Sequence, residues 1–339
     1  MVGREKKVNL VSIIIVNLNG RKFLEECLRA ISQQTYRNYE VIFVDNGSTD
    51  DSTKFVEENY PQVKIIRLTH NMGFAEGANI GIKASKGDYI FLLNNDVVLD
   101  EKCLELLSRT FEEYPSFSSC GPKIIRYNNR GRIDSAGIEF LPIGAVHSYY
   151  DSSVNEPRLN RTKETFGISA AAGMYKKVMM EEIGFFDEDF FAYFEDTDLS
   201  FRAQLMGYKC LYQPLAVAYH HGSGTGIKNS PFYVYFGRRN VEFLYFKNMP
   251  TKLLLKYGLW HIFYEILVLT FFIMYGKGSS AIKGKIDAVT NIAMIIKKRR
   301  IIQNNRKVSC EYIENLFYKR EGTKTKFKKA FTLLKNRRK

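Results

Sequence analysis

The 339-residue chain is 45% hydrophobic and 25% charged, a composition that excludes global disorder in a chain long enough for one large domain and an appendage. Its net charge of +14 is lopsided: residues 250–339 hold 21 Lys and Arg against 5 Asp and Glu, which leaves the first 249 residues at −2. Five scattered cysteines without a CxxC pair speak against a disulfide framework or a zinc site and for reduced thiols in a cytosolic compartment.

The N-terminal "MVGREKKVNLVSIIIV" sets basic residues before an apolar run. That run is about seven residues long and passes into "NLNG" without a small-residue cleavage site, so it predicts a first strand and not a signal peptide. Further strands are expected at 40–45, 63–68 and 89–94, with a weaker one near 119–125. Between them lie amphipathic stretches such as "RKFLEECLRAISQQ", where Phe23, Leu24, Cys27, Leu28 and Ile31 recur at helical spacing. Apolar strands alternating with helices predict a parallel sheet covered on both faces. Ligands gather beyond the carboxyl ends of such strands. The four segments there, "NLNG", "DNGSTD", "THNMGFAEG" and "NNDVVLD", are all polar or glycine-bearing.

Residues 126–165 predict a hairpin excursion, and a second α/β portion runs to about Gly226. From Pro231 onward the pattern is helical, basic and aromatic. The expected organisation is a catalytic domain over 1–230, with a nucleotide-binding half to about 125 and an acceptor half from 126, followed by a helical region over 231–339.

Asp45, ahead of "GSTDDS", has two readings from its residues alone: a cap for the next helix, or a ligand contact. The glycines of "GFAEGANIG" match neither a dinucleotide fingerprint nor a P-loop, and their spacing suits close helix packing. "FEDTDLSFRAQLMGY" reads as a helix start with Glu195, Asp196 and Asp198 in its first turn, where the helix dipole favours them. Asp198 and Arg202 stand four apart and can pair on one face, leaving Asp196 unpaired.

Taken in order, "VSIIIVNLNG", "VIFVDNGSTDDS", "NMGFAEGANIGI", "GDYIFLLNNDVVLD" and "GFFDEDFFAYFEDTDLSFRAQLMGY" resemble the family-2 glycosyltransferases, in particular the rhamnosyltransferase-like branch that builds surface polysaccharides. The resemblance covers roughly residues 10–250. It implies a GT-A-type, Rossmann-like fold, a nucleoside-diphosphate sugar donor (dTDP-rhamnose or a UDP-sugar) and a divalent Mg2+ or Mn2+. By the same comparison Asn17 and Asp45 hold the donor nucleoside, Gly73 and Asn79 match donor contacts, and Asn94 and Asn95 flank the donor. Asp96 is the metal ligand of an N-x-D that stands where the family has D-x-D. His220, on a "YHxGS" pattern, is the second ligand; by residue type alone either His220 or His221 is an ordinary packed or surface histidine. The family's E-D pair falls on Glu195 and Asp196, with Asp196 as the base of an inverting transfer. Small residues in "SAAAGMYKK", Gly173 among them, mark either the acceptor side or a tightly packed strand.

The apolar stretch 257–275 approaches the length of a membrane span, but Glu265 lies near its midpoint. Flanking lysines and "KKRR" at 297–300 predict helices lying in the plane of an anionic membrane surface, at the cytoplasmic face; a span and a helix buried against the catalytic domain are the alternatives. Nucleic-acid binding is the rival explanation of the charge and is disfavoured, because no nucleic-acid fold is recognisable there. The functional expectation is transfer of a sugar to a lipid-linked or cell-surface glycan. A catalytically silent binding module and a sugar-nucleotide nucleotidyltransferase are the alternatives.

Overall fold

The computed structural model describes residues 9–222 and 230–318; the glycine-rich stretch 223–229 and the last 21 residues of the basic tail lie outside it. Strands β1 (Val11–Asn17), β2 (Tyr39–Asp45), β3 (Lys64–Arg67) and β4 (Tyr89–Leu93) alternate with helices α1 (Arg21–Ser32), α2 (Ser52–Asn59) and α3 (Gly73–Lys83). A short β5 (Val97–Leu99), helix α4 (Cys103–Glu113) and the long β6 (Phe117–Arg126) follow. The expected excursion is built from β7 (Ile133–Ser135), β8 (Glu139–Phe140), β9 (Val146–His147) and β10 (Lys163–Thr165). The chain then returns through β11 (Ala172–Lys176), α5 (Lys177–Ile183), α6 (Glu195–Leu205) and β12 (Lys209–His220).

A single sheet spans both halves in the order β10-β12-β6-β11-β4-β1-β2-β3. Strands β3, β2, β1 and β4 run parallel, as do β6 and β12, while β11 is antiparallel to both β4 and β6. Alternation along β1 explains why its run is unbroken. Ile13 and Ile15 enter the layer under α1 and α4 with Leu24, Leu28, Leu104 and Leu107; Ile14 enters the opposite layer with Ala78, Ile82 and Leu199. A strand covered on both faces has no polar side, so it reads as continuous apolar sequence.

The helical region comprises α7 (Pro231–Asn248), α8 (Thr251–Met274), α9 (Gly278–Thr290), α10 (Ile292–Asn305) and α11 (Cys310–Leu316). It packs on the α/β part of the chain through a third core, where Phe140, Phe166 and Phe201 meet Leu244, Leu253, Ile295 and Ile313. Helix α8 contributes little to that core. Of its 24 residues only Leu253, His261 and Glu265 are buried.

Candidate functional site

The carboxyl ends of three parallel strands meet through side chains. Register places Asn17 opposite Asp45. Asp45 accepts from the Ser48 amide (3.2 Å), and the Ser48 hydroxyl accepts from Asn17 Nδ2 (3.1 Å) and the Asn19 amide (3.0 Å). Asn17 Oδ1 in turn accepts from Asn95 Nδ2 at 2.7 Å. Gly20 is required above this chain of bonds, since a Cβ there would lie 2.1 Å from Asn95 Nδ2. Asn46 closes the next loop by donating to Asn71 Oδ1 and the Gly73 carbonyl, both at 3.0 Å. Asn46, Gly73, Asn94, Asn95 and Asp96 line the wall of one cavity of about 900 Å³, while Asn17 and Asp45 are buried behind that wall and do not line it.

Beside that wall, pairing of β12 with β5 sets His220 opposite Val97 and hence next to Asp96. His220 Nε2 is 3.2 Å from Asp96 Oδ1, and its Nδ1 is 2.8 Å from Asp134 Oδ2. Burial alone would lower the imidazole pKa; hydrogen bonds that the ring donates to the Asp134 and Asp96 carboxylates outweigh it and raise it to about 10. His221 turns away, stacks on Tyr127 at 3.7 Å and reaches Glu26 at 3.3 Å. Among the described residues no cluster of three His, Cys, Asp or Glu forms a ready metal cage. The donor set of one carboxylate and one imidazole still fits Mg2+ or Mn2+, provided diphosphate oxygens and water complete the shell. Asp134 supports the fit: a carboxylate on Nδ1 fixes the ring, and Nε2 would become the ligand atom once a cation displaces its proton.

Across the same cavity lie Glu195 and Asp196, at the start of α6. Asp196 Oδ2 accepts from the Ala170 amide (3.2 Å), and Oδ1 from the Thr197 amide (2.6 Å) and hydroxyl (3.1 Å). Burial raises its pKa, and those three bonds hold it down. Glu195 is pushed up to about 8, first by burial and then by Asp196, and its Oε2 has no hydrogen-bond partner among the described residues. The loop before them is strained: Phe191, Tyr193 and Phe194 all have φ between 61° and 70°. Asn240 on α7 restrains that loop, donating through Nδ2 to the carbonyls of Phe190, Ala192 and Tyr193, each at 2.8 Å. Gly73 (φ 87°) meets it from the other side, since a Cβ there would lie 2.6 Å from the Phe191 carbonyl oxygen.

The remaining candidates lie behind the wall. Asn79 Nδ2 donates to the Phe186 carbonyl (2.8 Å) and to Glu188 (3.0 Å), and its Oδ1 accepts from the Phe186 amide, so it clamps the 186–188 segment rather than facing the cavity. Asp198 is fully buried, 2.9 Å from Arg202 Nε and 2.7 Å from Lys247 Nζ. Gly173 sits inside β11, where a Cβ would crowd the Ser169 carbonyl; Ser169, Ala170 and Ala171 line the cavity instead. Asp134, Asn46 and Asn240 were not anticipated. Asn46 stood inside the quoted "DNGSTD", whereas Asp134 and Asn240 carry no local signal, because their partners are 86 and about 50 residues away.

The sequence profile described as glycosyl transferase family 2 matches residues 12–183. Glycosyltransferase GlyG of Streptococcus pneumoniae serotype 4 is 36% identical over 107 residues, a match covering 31% of this chain and 36% of that protein. The N-acetylglucosaminyl-diphospho-decaprenol L-rhamnosyltransferase of Mycobacterium tuberculosis is 24% identical over 234 residues, covering 63% of this chain and 76% of that protein. In fold, the chain is similar to GalNAc-T7 in complex with UDP, GalNAc and Mn2+ (TM-score 0.55, 16% identity, 72% of this chain and 51% of that one). It is likewise similar to the mannosyltransferase PcManGT of Pyrobaculum calidifontis in complex with GDP-Man and Mn2+ (TM-score 0.52, 14% identity, 88% and 84%). These solved structures share its GT-A-like architecture, and with the profile covering half of its length, the chain belongs to glycosyl transferase family 2.

Proposed function

We propose that the protein is a metal-dependent, inverting glycosyltransferase that moves a sugar from a nucleoside diphosphate to a hydroxyl of a lipid-linked glycan acceptor at the cytoplasmic membrane face. The observation that carries this reading is that Asp96 and Asp196, 100 residues apart in sequence, line one cavity together with His220 and Glu195. Asn46, Asn94 and Asn95 would face the donor nucleotide, with Asn17 bonded to Asn95 from behind, and Asp96 with His220 would hold the Mg2+ or Mn2+ beside the diphosphate. That ion would supply charge neutralisation for the departing nucleoside diphosphate. Asp196 takes the proton of the acceptor hydroxyl as its oxygen bonds to the anomeric carbon. The carbon–oxygen bond to the diphosphate breaks on the opposite face, and its electron pair leaves with the nucleotide. A raised pKa suits this base, since proton transfer is most efficient when its pKa approaches the working pH. Glu195 offers its unpartnered oxygen to an acceptor or sugar hydroxyl.

Nucleoside-diphosphate release over a panel of UDP- and dTDP-sugars, with membrane extract as acceptor, tests the reading. Chelation should abolish release and Mn2+ restore it. Asp196→Asn should lower transfer by about 10²-fold or more, the usual worth of a general base. Near-normal transfer by that variant would overturn the assignment, and donor binding without any release would mark a silent binding module.

A further inference from the structure

The cavity that holds Asp96 and Asp196 does not end at the sugar-sized space between them. Its wall continues to Arg238 on α7 and to Tyr264, Glu265 and Phe272 on α8. Those three residues belong to the inner side of a helix whose other side is almost entirely apolar and bare: Leu255 and Leu259 are each 81% exposed and Trp260 63%. One cavity therefore joins the base to an apolar surface, with a guanidinium on the way.

Arg238 is built for an anion there. It is largely enclosed, its guanidinium lies 5.6 Å over the Phe272 ring, and Nη1 is 3.1 Å from Glu265 Oε2. Among the described residues Glu265 is its only hydrogen-bond partner, so Nε and Nη2 of the fork keep their donors. Glu265 does not depend on Arg238 for neutralisation. Lys285 Nζ lies 2.6 Å from the same Oε2 and also bonds Glu242, which in turn holds His261 at 2.9 Å. If Arg238 turns its fork to a ligand, Lys285 keeps the buried carboxylate paired. A guanidinium in this setting favours the planar, two-point geometry of a phosphate oxygen pair.

We infer that Arg238 is the acceptor's phosphate-binding residue: it holds the diphosphate of a lipid-linked acceptor whose hydrocarbon leaves the cavity past Phe272 along the exposed face of α8. The inference rests on the glycosyltransferase reading for its acceptor, and on the continuity of cavity, cation and apolar helix for its residue.

The test is binding of farnesyl diphosphate, farnesol and inorganic diphosphate to the full chain, measured by calorimetry in mild detergent. The single tryptophan, Trp260, reports hydrocarbon on α8 by its fluorescence. Farnesyl diphosphate should bind more tightly than either fragment. Arg238→Gln should weaken it by about 10- to 100-fold, the worth of charge-assisted hydrogen bonds, and bring it close to farnesol. Asp96→Asn, which strips the donor end, should leave it unchanged. Arg238→Lys, which retains the pairing with Glu265 but not the fork, serves if the glutamine variant does not fold, and should lie between the two. Unchanged affinity in the Arg238 variants, loss in Asp96→Asn instead, or inorganic diphosphate binding as well as the lipid would each overturn the inference. Nucleoside-diphosphate release from the donor panel, measured on the same preparation, separates this failure from failure of the glycosyltransferase reading, in which no release would occur whether or not a nucleotide binds.

Discussion

At the scale of single residues, the E-D pair sets how the site responds to pH. Both carboxyls are raised because burial disfavours the charged form, and their ionisation belongs to the pair, since two adjacent buried charges repel. A raised carboxyl stabilises the fold fully only below its unfolded value, near 4.5 for Glu195, and that contribution is lost as pH climbs through about 8. Glu195→Gln removes the penalty. Its melting temperature should match the wild type at pH 4 and exceed it at pH 9, by an amount worth a few kcal/mol for a shift of this size; calorimetric scans at the two pH values check this. Equal melting at pH 9 would mean that Glu195 ionises without cost. The residues of the site were unevenly legible. Asn95, Asp96, Glu195 and Asp196 stand in motifs at strand or helix ends, where ligand contact is a strong expectation from sequence. Asn79 stands in a motif too, yet its amide is consumed by the 186–188 backbone, a partner no local pattern reveals.

At the scale of elements, α6 carries Asp196, the proposed base, and its position depends on the region that follows it. Lys247 on α7, 2% exposed, lies 2.7 Å from Asp198 on α6 and 2.5 Å from Asp187 in the preceding loop, and Lys298 on α10 reaches the same Asp187 at 2.5 Å. Asn248 adds a 2.6 Å hydrogen bond to Asp198. The helix-face pairing of Asp198 with Arg202 is therefore one arm of a larger buried network. Removing one partner of buried charges leaves the others uncompensated, which costs about 3–5 kcal/mol. Lys247→Met should lower stability by that much in urea titrations and lower transfer with it. Lys252→Ala, whose pair with Glu311 is exposed and screened by water, should leave the urea midpoint close to that of the wild type. A Lys247→Met protein as stable as wild type would show that packing alone seats α6. Strands β1 to β4 were legible because both faces are apolar, and their boundaries fall within about two residues of the expected ones. The order of β11, β6 and β12 was not, because antiparallel insertion of β11 depends on contacts between residues 119–120 and 174–175 that leave no periodic trace.

At the scale of the whole molecule, the proposed membrane association can take two forms through the bare apolar face of α8, a span or in-plane docking. The helix is the one among the described residues long and apolar enough to cross a bilayer, with a mean hydropathy of 1.6. Spanning would strip it from the domain. His261 stacks on Tyr245 at 3.7 Å and bonds Glu242, and Glu265 is held by Arg238 and Lys285; bare in hydrocarbon, Glu265 alone would cost about 3 kcal/mol. In-plane docking keeps these contacts and covers Leu255, Leu259 and Trp260. The basic count overstates the electrostatic share. Lys252, Lys256, Lys285 and Lys298 already pair with glutamates or aspartates, and Arg299 donates to the carbonyls of Phe246 and Met249. Hydrophobic burial should therefore dominate, at about 1.5–3 kcal/mol for each large side chain covered. Flotation with vesicles of phosphatidylglycerol and phosphatidylcholine should show binding that 0.5 M salt, on the order of a 4 Å Debye length, weakens only several-fold. Leu259→Ser with Trp260→Ser should lower it by about 100-fold or more while leaving nucleotide binding intact. Alkaline carbonate should release the protein from membranes. Retention after carbonate would mean that α8 crosses the bilayer, and loss of all binding in salt would mean that charge, and not the apolar face, brings the cavity mouth to the lipid.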